Sequence, residues 1–519
     1  MAPDGALGQR GRGVLLGRGP SNESDRFPCG LETTSTVSDP EPNHRPPRKV
    51  AVLGGGPAGL AAARELSAAG VHVVVLERAP WVGGLSLTWE HRGFRFDLGG
   101  HRWFTKKDWL QEWFLELMEG ELVTVDRISR IYFSGRYFRY PIGLLNVVRN
   151  VGPITSMHAV WSYLVSQLRL WLRPQPIENI EEAYVAQFGI KLYQMFFKRY
   201  TEKVWGRDCT ELSADWVTQR TKGLSVWETA RNAVVRPKDA KMESLVDQFL
   251  YPRLGYQRIS DRMREDVEAL GGSVLLESTV IGVAVNDENV TVRYRGSDGS
   301  EHEIEADHAI STIPLGRLAR ILTPEASSEV VDAAKSLEFR SVITVNVLLD
   351  REQVTPDTWV YIHEPKIEFA RIHEPRNWSP AMAPAGKTSI CAEWFCSVGD
   401  ETWRLSDEEL LDRTVRHLVE DLGFIESDEV IDGFVLRARH AYPVYSLDYA
   451  ARIGVIKRHL SRHEDRISIA GRGGTFRYNN ADHSVETGIL VARNLLGAAH
   501  DVDAVNLEQE YHEEKISER

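Results

Sequence analysis

The sequence predicts an α/β fold: a parallel-sheet domain of nucleotide-binding type, interrupted by a mixed α+β domain. Three observations predict it. A strand, glycine turn, helix and second strand follow one another from Lys49 to Glu77. Sequence of the same character returns at 241–320 and 465–500, after excursions of different pattern. The chain's 519 residues exceed what one simple core organises, so two intertwined domains are expected.

Val50 to Leu53 is a short apolar run bounded by glycine, as expected of a parallel strand buried on both faces. Gly54, Gly56 and Gly59 then form G-x-G-x-x-G. The first allows a tight turn, the second lets backbone approach a pyrophosphate, and the third lets the next helix pack closely on the strand. Pro57 and Ala58 open that helix, which is alanine-rich to Ala69 and stops at Gly70. Its N-terminal N–H groups and dipole favour bound phosphate. Val71 to Leu76 is the second strand, and Glu77 at its end is suited to a ribose diol, with Arg78 beside it. Strand, helix, second strand and terminal acid together make a Rossmann-type fingerprint, which FAD and NAD share. A second glycine pair, Gly83-Gly84 followed by Leu85 in ERAPWVGGLS, lets backbone pass the cofactor again and singles out FAD. This stretch resembles FAD-binding proteins of the amine-oxidase type.

Composition narrows the function classes. The net charge of −12 argues against a nucleic-acid or anionic-membrane binder as the default, so an anionic ligand must be held by locally placed arginines. Cys29, Cys209, Cys391 and Cys396 show no metal-like spacing, and no metal site is expected; Cys391 and Cys396 read as strand residues. Sparse cysteines fit a reducing cytoplasm. Residues 1–47 read as a disordered tail with no secretory signal, and nowhere is there an apolar run of transmembrane length. A soluble cytoplasmic protein is expected.

Taken in order, the first cofactor segment covers 48–126 and includes a further glycine pair, Gly99-Gly100, before His101 in DLGGH. The first excursion covers 127–240. It opens with a hairpin in RISRIYFSGRYFRY around a Ser-Gly turn, and a helix follows over 154–172. Trp161, Leu164, Leu168 and Trp171 make one stripe on that helix. An amphipathic core helix is the expectation, with a membrane-facing helix as the alternative. Cofactor sequence returns over 241–320, with a helix to Leu270, a strand near Val274, Val280 opening another strand, and a hairpin around Asp298-Gly299. The second excursion, 321–464, carries strands SVITVNVLLD, WVYIH and TSICAEWFC and helices at 407–422 and 450–460. Residues 465–500 return once more, with a strand, a turn at Gly471-Arg472-Gly473-Gly474, and a helix opening near Asp482; 501–519 reads as a polar tail.

These later segments resemble UDP-galactopyranose mutases, especially the eukaryotic ones, over roughly 49–496. The likeness rests on DLGGH at 97–101, YTEKVW ending at Trp205, Arg220 fifteen residues later, Arg371 in FARIHEPRNWSP, AYP at 441–443 and GRGGTFRYNNADHS at 471–484. Thr201 and Trp378 depart from the pattern, which has asparagine and tyrosine there, and the RYNNADH loop is shorter. Bacterial FAD-dependent oxidoreductases likened to protoporphyrinogen oxidase carry similar motifs. The resemblance implies a GR2-like FAD-binding domain and a substrate domain. It implies ring isomerisation of a nucleotide-diphosphate sugar, in which N5 of reduced flavin attacks the anomeric carbon and no net redox change occurs.

Carried over, Arg220 and Arg371 clamp the diphosphate, Tyr442 and Tyr478 donate to it, and Trp205 lies beside the sugar. His101 lies against the flavin, Asp482, His483 and Ser484 face its pyrimidine edge, and NADPH or NADH is a candidate reductant. A homo-oligomer is a candidate assembly. The rival reading is an oxidase or desaturase of the same superfamily acting on an amine or lipid-like substrate, which needs an aromatic or apolar cage and no diphosphate clamp.

Overall fold

The computed structural model describes residues 46–139, 152–217 and 248–506. Most of the expected N-terminal tail, Cys29, the end of the first hairpin at Tyr140, Arg220 and the residues after 506 lie outside the described residues.

A five-stranded parallel sheet organises the cofactor segments. Its order is Ile467–Ile469, His308–Ser311, Lys49–Leu53, His72–Leu76, Ser273–Leu275, so all three returns of the chain contribute. The Lys49–Leu53 strand lies in the middle, and Val50 to Leu53 are fully buried because both faces are covered. Val50 and Val52 pack with Ala58, Ala62, Val491 and Ala492 of the helices Pro57–Ala68 and Ala481–Leu495. Ala51 and Leu53 face Val280, Val283, Val290 and Val292 of a second, four-stranded sheet. A Cβ at Gly488 would overlap the Ala58 carbonyl, which is how two helices come so close over the sheet.

The two excursions meet in one seven-stranded sheet, ordered Val430–Pro443, Phe339–Leu349, Thr388–Cys396, Arg371–His373, Trp359–Ile362, Ser129–Phe133, Arg136–Arg139. The hairpin at its far edge turns through Ser134 and Gly135, both with positive φ (50° and 72°), the geometry that matches strand twist in a two-residue loop. Cys391 and Cys396 are buried in the Thr388–Cys396 strand, as expected.

Three expectations are corrected, and one strand appears that none of them covered. The Gly471-Arg472-Gly473-Gly474 segment is a short helix, Gly471–Thr475, closed by the Thr475 hydroxyl on the Gly471 carbonyl (2.7 Å). Residues 501–506 are not a free tail: Val505 is buried, and the Asn506 amide donates to the Tyr478 carbonyl at 3.1 Å. The Val430–Pro443 strand was not expected, because an edge strand half-exposed along most of its length shows no apolar alternation. Most consequentially, the helix Pro153–Leu172 buries only Ser156, Ala159 and Ser162, and its large apolar stripe faces outward.

Candidate active site

The glycine turn is built as the fingerprint requires. Gly54 has φ +113°, where a side chain would also meet the Thr312 hydroxyl, and a Cβ at Gly59 would overlap the Gly54 carbonyl. Gly56 differs: a Cβ there would touch nothing within 4 Å, while a Cβ added at Gly84 would reach to 3.4 Å from Gly56 Cα. Open space therefore lies beside Gly56 and the helix N-terminus, which no side chain caps. The second glycine pair is tied directly to the first turn, Gly83 N–H donating to the Gly55 carbonyl at 2.9 Å. Leu85, just beyond, packs with Val342, Ala438 and Ala441.

Glu77 is buried at the rim of this space and accepts from Gly55 N–H (2.8 Å) and Ala79 N–H (2.9 Å). Two bonds leave carboxylate lone pairs for a diol. Arg78 is exposed, and Arg317 donates to the Val280 carbonyl at 2.7 Å, so the Val280 position is backed by a cation that sequence reading missed. Arg317 and His440 are both pulled below their ordinary pKa by desolvation and then by the positive charge of Arg78.

The DLGGH turn lies over a buried carboxylate. Gly100 N–H donates to Glu393 at 3.3 Å, and Gly100 is also packed so tightly on Trp359 and Trp378 that no side chain fits. Glu393 stands directly opposite Arg371 in the antiparallel register and takes its Nε (2.9 Å) and Nη2 in a two-pronged bond. Burial raises the Glu393 carboxyl, but Arg371 and His373 outweigh it and bring its pKa down to about 2. His373, stacked on Trp378 at 4.6 Å, has its Nδ1 3.5 Å from the same carboxylate.

His101 bonds the Gly99 carbonyl through Nδ1 (3.0 Å) and stacks near Tyr256 (5.2 Å between centroids). Desolvation, then Arg472, pulls its pKa down to about 4, so it is neutral at physiological pH. Tyr442 and Tyr478 stack at 5.3 Å with planes 20° apart, and the Arg472 guanidinium lies 5.4 and 5.2 Å from their centroids. Arg472 itself is held by the Asn479 and Ala441 carbonyls. Burial, with Tyr478 adding, pushes the Tyr442 hydroxyl up to about 12. Trp205 meets Tyr478 edge-on at 6.5 Å, and its indole N–H is buried with no hydrogen-bond partner among the described residues. His101, Tyr200, Arg371 and Tyr442 keep accessible surface although each is strongly desolvated, so that surface lines an interior cleft.

The structure thus brings His101, Trp205, Arg371, Tyr442 and Tyr478 to one region, while Arg220 lies outside the described residues. The His483 ring turns back to accept from Asn480 N–H (3.3 Å) and completes a capping box at the start of the helix. Asp482 is buried with Oδ1 lacking a partner, and burial raises its pKa; Ser484 is buried one turn in. Thr201 is buried, and Trp378 sits within the aromatic core with Phe249, Tyr251 and Trp359. Glu393, Tyr256 and Tyr200 were not expected. Their signal is non-local, arising only when strands and loops far apart in sequence are in register.

The profile of one family, flavin containing amine oxidoreductase, matches residues 57–496. The chain belongs to this family. As a flavin containing amine oxidoreductase it calls for FAD, and the residues present fit that cofactor. Gly56 and Gly84 leave a cradle that a Cβ would fill, the first helix presents an uncapped N-terminus, and Asp482 Oδ1 and the Tyr256 hydroxyl are buried without partners among the described residues. Leaving such groups unpaired costs about 1–3 kcal/mol each, so an adjacent ligand with donors and acceptors is the natural occupant.

The fold is similar to that of a reduced UDP-galactopyranose mutase, with a TM-score of 0.74 and 22% identity over 91% of this chain and all of that one. In sequence the chain is 24% identical to a 15-cis-phytoene desaturase of Synechococcus elongatus, covering 61% of this chain and 69% of the desaturase. It is 23% identical to the L-amino acid oxidase Bs29 of Bothriechis schlegelii, covering 57% of this chain and 58% of the oxidase. The chain therefore spans little more than half the length of that oxidase. No helix of the described residues is long and apolar enough to cross a membrane, and no cluster of metal-ligating side chains occurs among them.

Proposed function

We propose that this protein is a flavin-dependent mutase that interconverts the ring forms of a nucleotide-diphosphate sugar without net oxidation. The observation that carries the reading is the convergence of Trp205, Arg371, Tyr442 and Tyr478, from four separate segments, on the cleft lined by His101. Reduced FAD, when bound, supplies a nucleophilic nitrogen for the anomeric carbon. The chain's own residues bind and orient. Glu393 engages Nε and Nη2 of Arg371, leaving Nη1 for a phosphate oxygen, and fixes the guanidinium plane. Arg220 is the proposed second clamp. Tyr442 and Tyr478 donate hydroxyls to the departing diphosphate, whose growing charge they would stabilise. The Trp205 indole N–H, without a hydrogen-bond partner among the described residues, is suited to a sugar hydroxyl. Neutral His101 lets a reduced, anionic cofactor sit against it without fixing a counter-charge there. NADPH or NADH is the proposed reductant.

A second reading, an oxidase or desaturase, is favoured by two specific features. Two of the three Arg371 nitrogens are already taken by Glu393, and the stacked Tyr442–Tyr478 pair offers an aromatic wall. A screen of nucleotide sugars against the absorbance of the reduced flavin separates the two. The mutase reading expects saturable perturbation by a nucleotide-diphosphate sugar and by the free nucleoside diphosphate. Perturbation only by amines or apolar substrates would support the oxidase.

A further inference from the structure

The helix Pro153–Leu172 has its polarity reversed. Toward the neighbouring helix, Ile180–Leu192, it presents small and polar groups: Ser162 Oγ accepts from Lys191 N–H (3.1 Å), and the Gln167 amide donates to the Ala186 carbonyl (2.6 Å). Gly189 lets the two backbones close up, since a Cβ there would lie 2.7 Å from Tyr163 Cα. Away from the protein it presents Ile154, Met157, Trp161, Leu164, Leu168 and Trp171, spaced three and four residues apart along one face. Met157 is 70% exposed, Trp161 67% and Trp171 78%. A helix that packs through serine and alanine while exposing tryptophan and leucine would be stabilised by exchanging its faces, unless something apolar covers the outer one.

Charge says what that cover is. From Arg127 to Ile177 the sequence has seven arginines and no aspartate or glutamate, in a chain whose net charge is −12. Arg130 pairs with Asp357, and Arg127 donates to the Ser129 hydroxyl at 3.4 Å. Arg169 and Arg173 are exposed at the C-terminal end of the stripe. The nearest carboxylates on the adjoining helix are used within the protein, Glu181 accepting from the Tyr193 hydroxyl (2.8 Å) and Glu182 from Glu178 N–H (2.8 Å). A second copy seated on this stripe would set Arg169 and Arg173 against a helix that itself carries no acid, since Pro153–Leu172 contains no aspartate or glutamate. An anionic lipid surface complements the arginines, buries the leucines in its acyl boundary and suits tryptophan at the headgroup level. The helix does not qualify to span a bilayer, so it lies in the plane.

We propose that the Pro153–Leu172 helix is a docking surface by which the protein lies on an anionic lipid bilayer. It leads through the Ile180–Leu192 helix to Lys198–Trp205, which carries Tyr200 and Trp205 to the candidate site. The test is flotation of the full-length holoprotein with vesicles of phosphatidylcholine, with and without phosphatidylglycerol. The wild type should float with the anionic vesicles, lose binding as salt is raised, and have its tryptophan fluorescence quenched by brominated lipid. Leu164→Glu with Leu168→Glu, both exposed and costing the fold little, should weaken partitioning on the order of a hundredfold with flavin content unchanged. Arg169→Gln with Arg173→Gln should weaken it about tenfold and flatten the salt dependence. Failure of the wild type to float with either vesicle overturns the proposal. So does a stable dimer that Leu164→Glu dissociates, which would give the stripe to a second copy.

Discussion

Arg371 and Glu393 face each other across two antiparallel strands, and the carboxylate is fully buried while holding two of the three guanidinium nitrogens. This pair joins the strand that bears the proposed phosphate clamp to the DLGGH turn, through Gly100 N–H. Glu393→Gln or Arg371→Ala should each lower unfolding stability by about 3–5 kcal/mol, because each leaves its partner's charge buried and uncompensated. The double substitution should cost clearly less than the sum, with a coupling of roughly 1 kcal/mol or more in urea unfolding. Simple additivity would mean that the two side chains do not act as a unit.

Two glycines of one motif should behave oppositely. A Cβ at Gly56 meets no protein atom, whereas one at Gly59 overlaps the Gly54 carbonyl. Gly56→Val is therefore expected to give folded protein with little FAD, read as normal far-ultraviolet circular dichroism with a collapsed flavin absorbance. Gly59→Val should give poorly folded protein. Full flavin retention in Gly56→Val would show that the cofactor does not pass there.

Acid should destabilise the protein in two stages. Desolvation holds His101 and His308 near pKa 4 and His363 near 3, all below the ordinary 6.5. Below pH 6.5 the unfolded chain takes up protons that the folded one refuses, so stability present above 6.5 is lost as pH falls toward 4 and then 3. Glu393, at about 2 instead of 4.5, adds a second loss between pH 4.5 and 2. Urea midpoints measured against pH should fall below 6.5, and His308→Gln should flatten the first stage. A flat profile from pH 7 to 4 would contradict the buried, neutral state of these histidines.

Lys203 donates to the carbonyls of Ile362, Glu364 and Ile367 at 2.8–3.1 Å, pinning the loop that runs into Arg371. Desolvation lowers its pKa to about 8. Lys203→Met should leave these carbonyls unpaired and cost roughly 2–4 kcal/mol of stability, with weakened nucleotide-diphosphate binding as Arg371 loses its register. Unchanged stability would show that water replaces the ammonium.

What the sequence made legible was local. The Lys49–Glu77 unit could be read residue by residue because its turn, helix start and strand ends are set by neighbours a few positions away, and Gly54 and Gly70 adopt the positive φ expected of them. The stripe from Trp161 to Trp171 was legible as a stripe, but its 3.6-residue period is the same whichever face turns inward. The small residues Ser156, Ala159 and Ser162, opposite the stripe, were the overlooked sign. Glu393 was out of reach, since only sheet register sets it against Arg371. Val430–Pro443, which delivers Tyr442, was hidden because an edge strand need not alternate.

The central claim is that the chemistry is isomerisation on reduced flavin, and turnover stoichiometry tests it most directly. With the nucleotide sugar that perturbs the flavin spectrum, dithionite-reduced protein under anaerobic conditions should interconvert ring forms for many turnovers with no further reductant consumed and none of the product oxidised. The oxidised protein should be inactive. Product formed by the oxidised protein in proportion to oxygen or another acceptor consumed would contradict the mutase and establish an oxidoreductase.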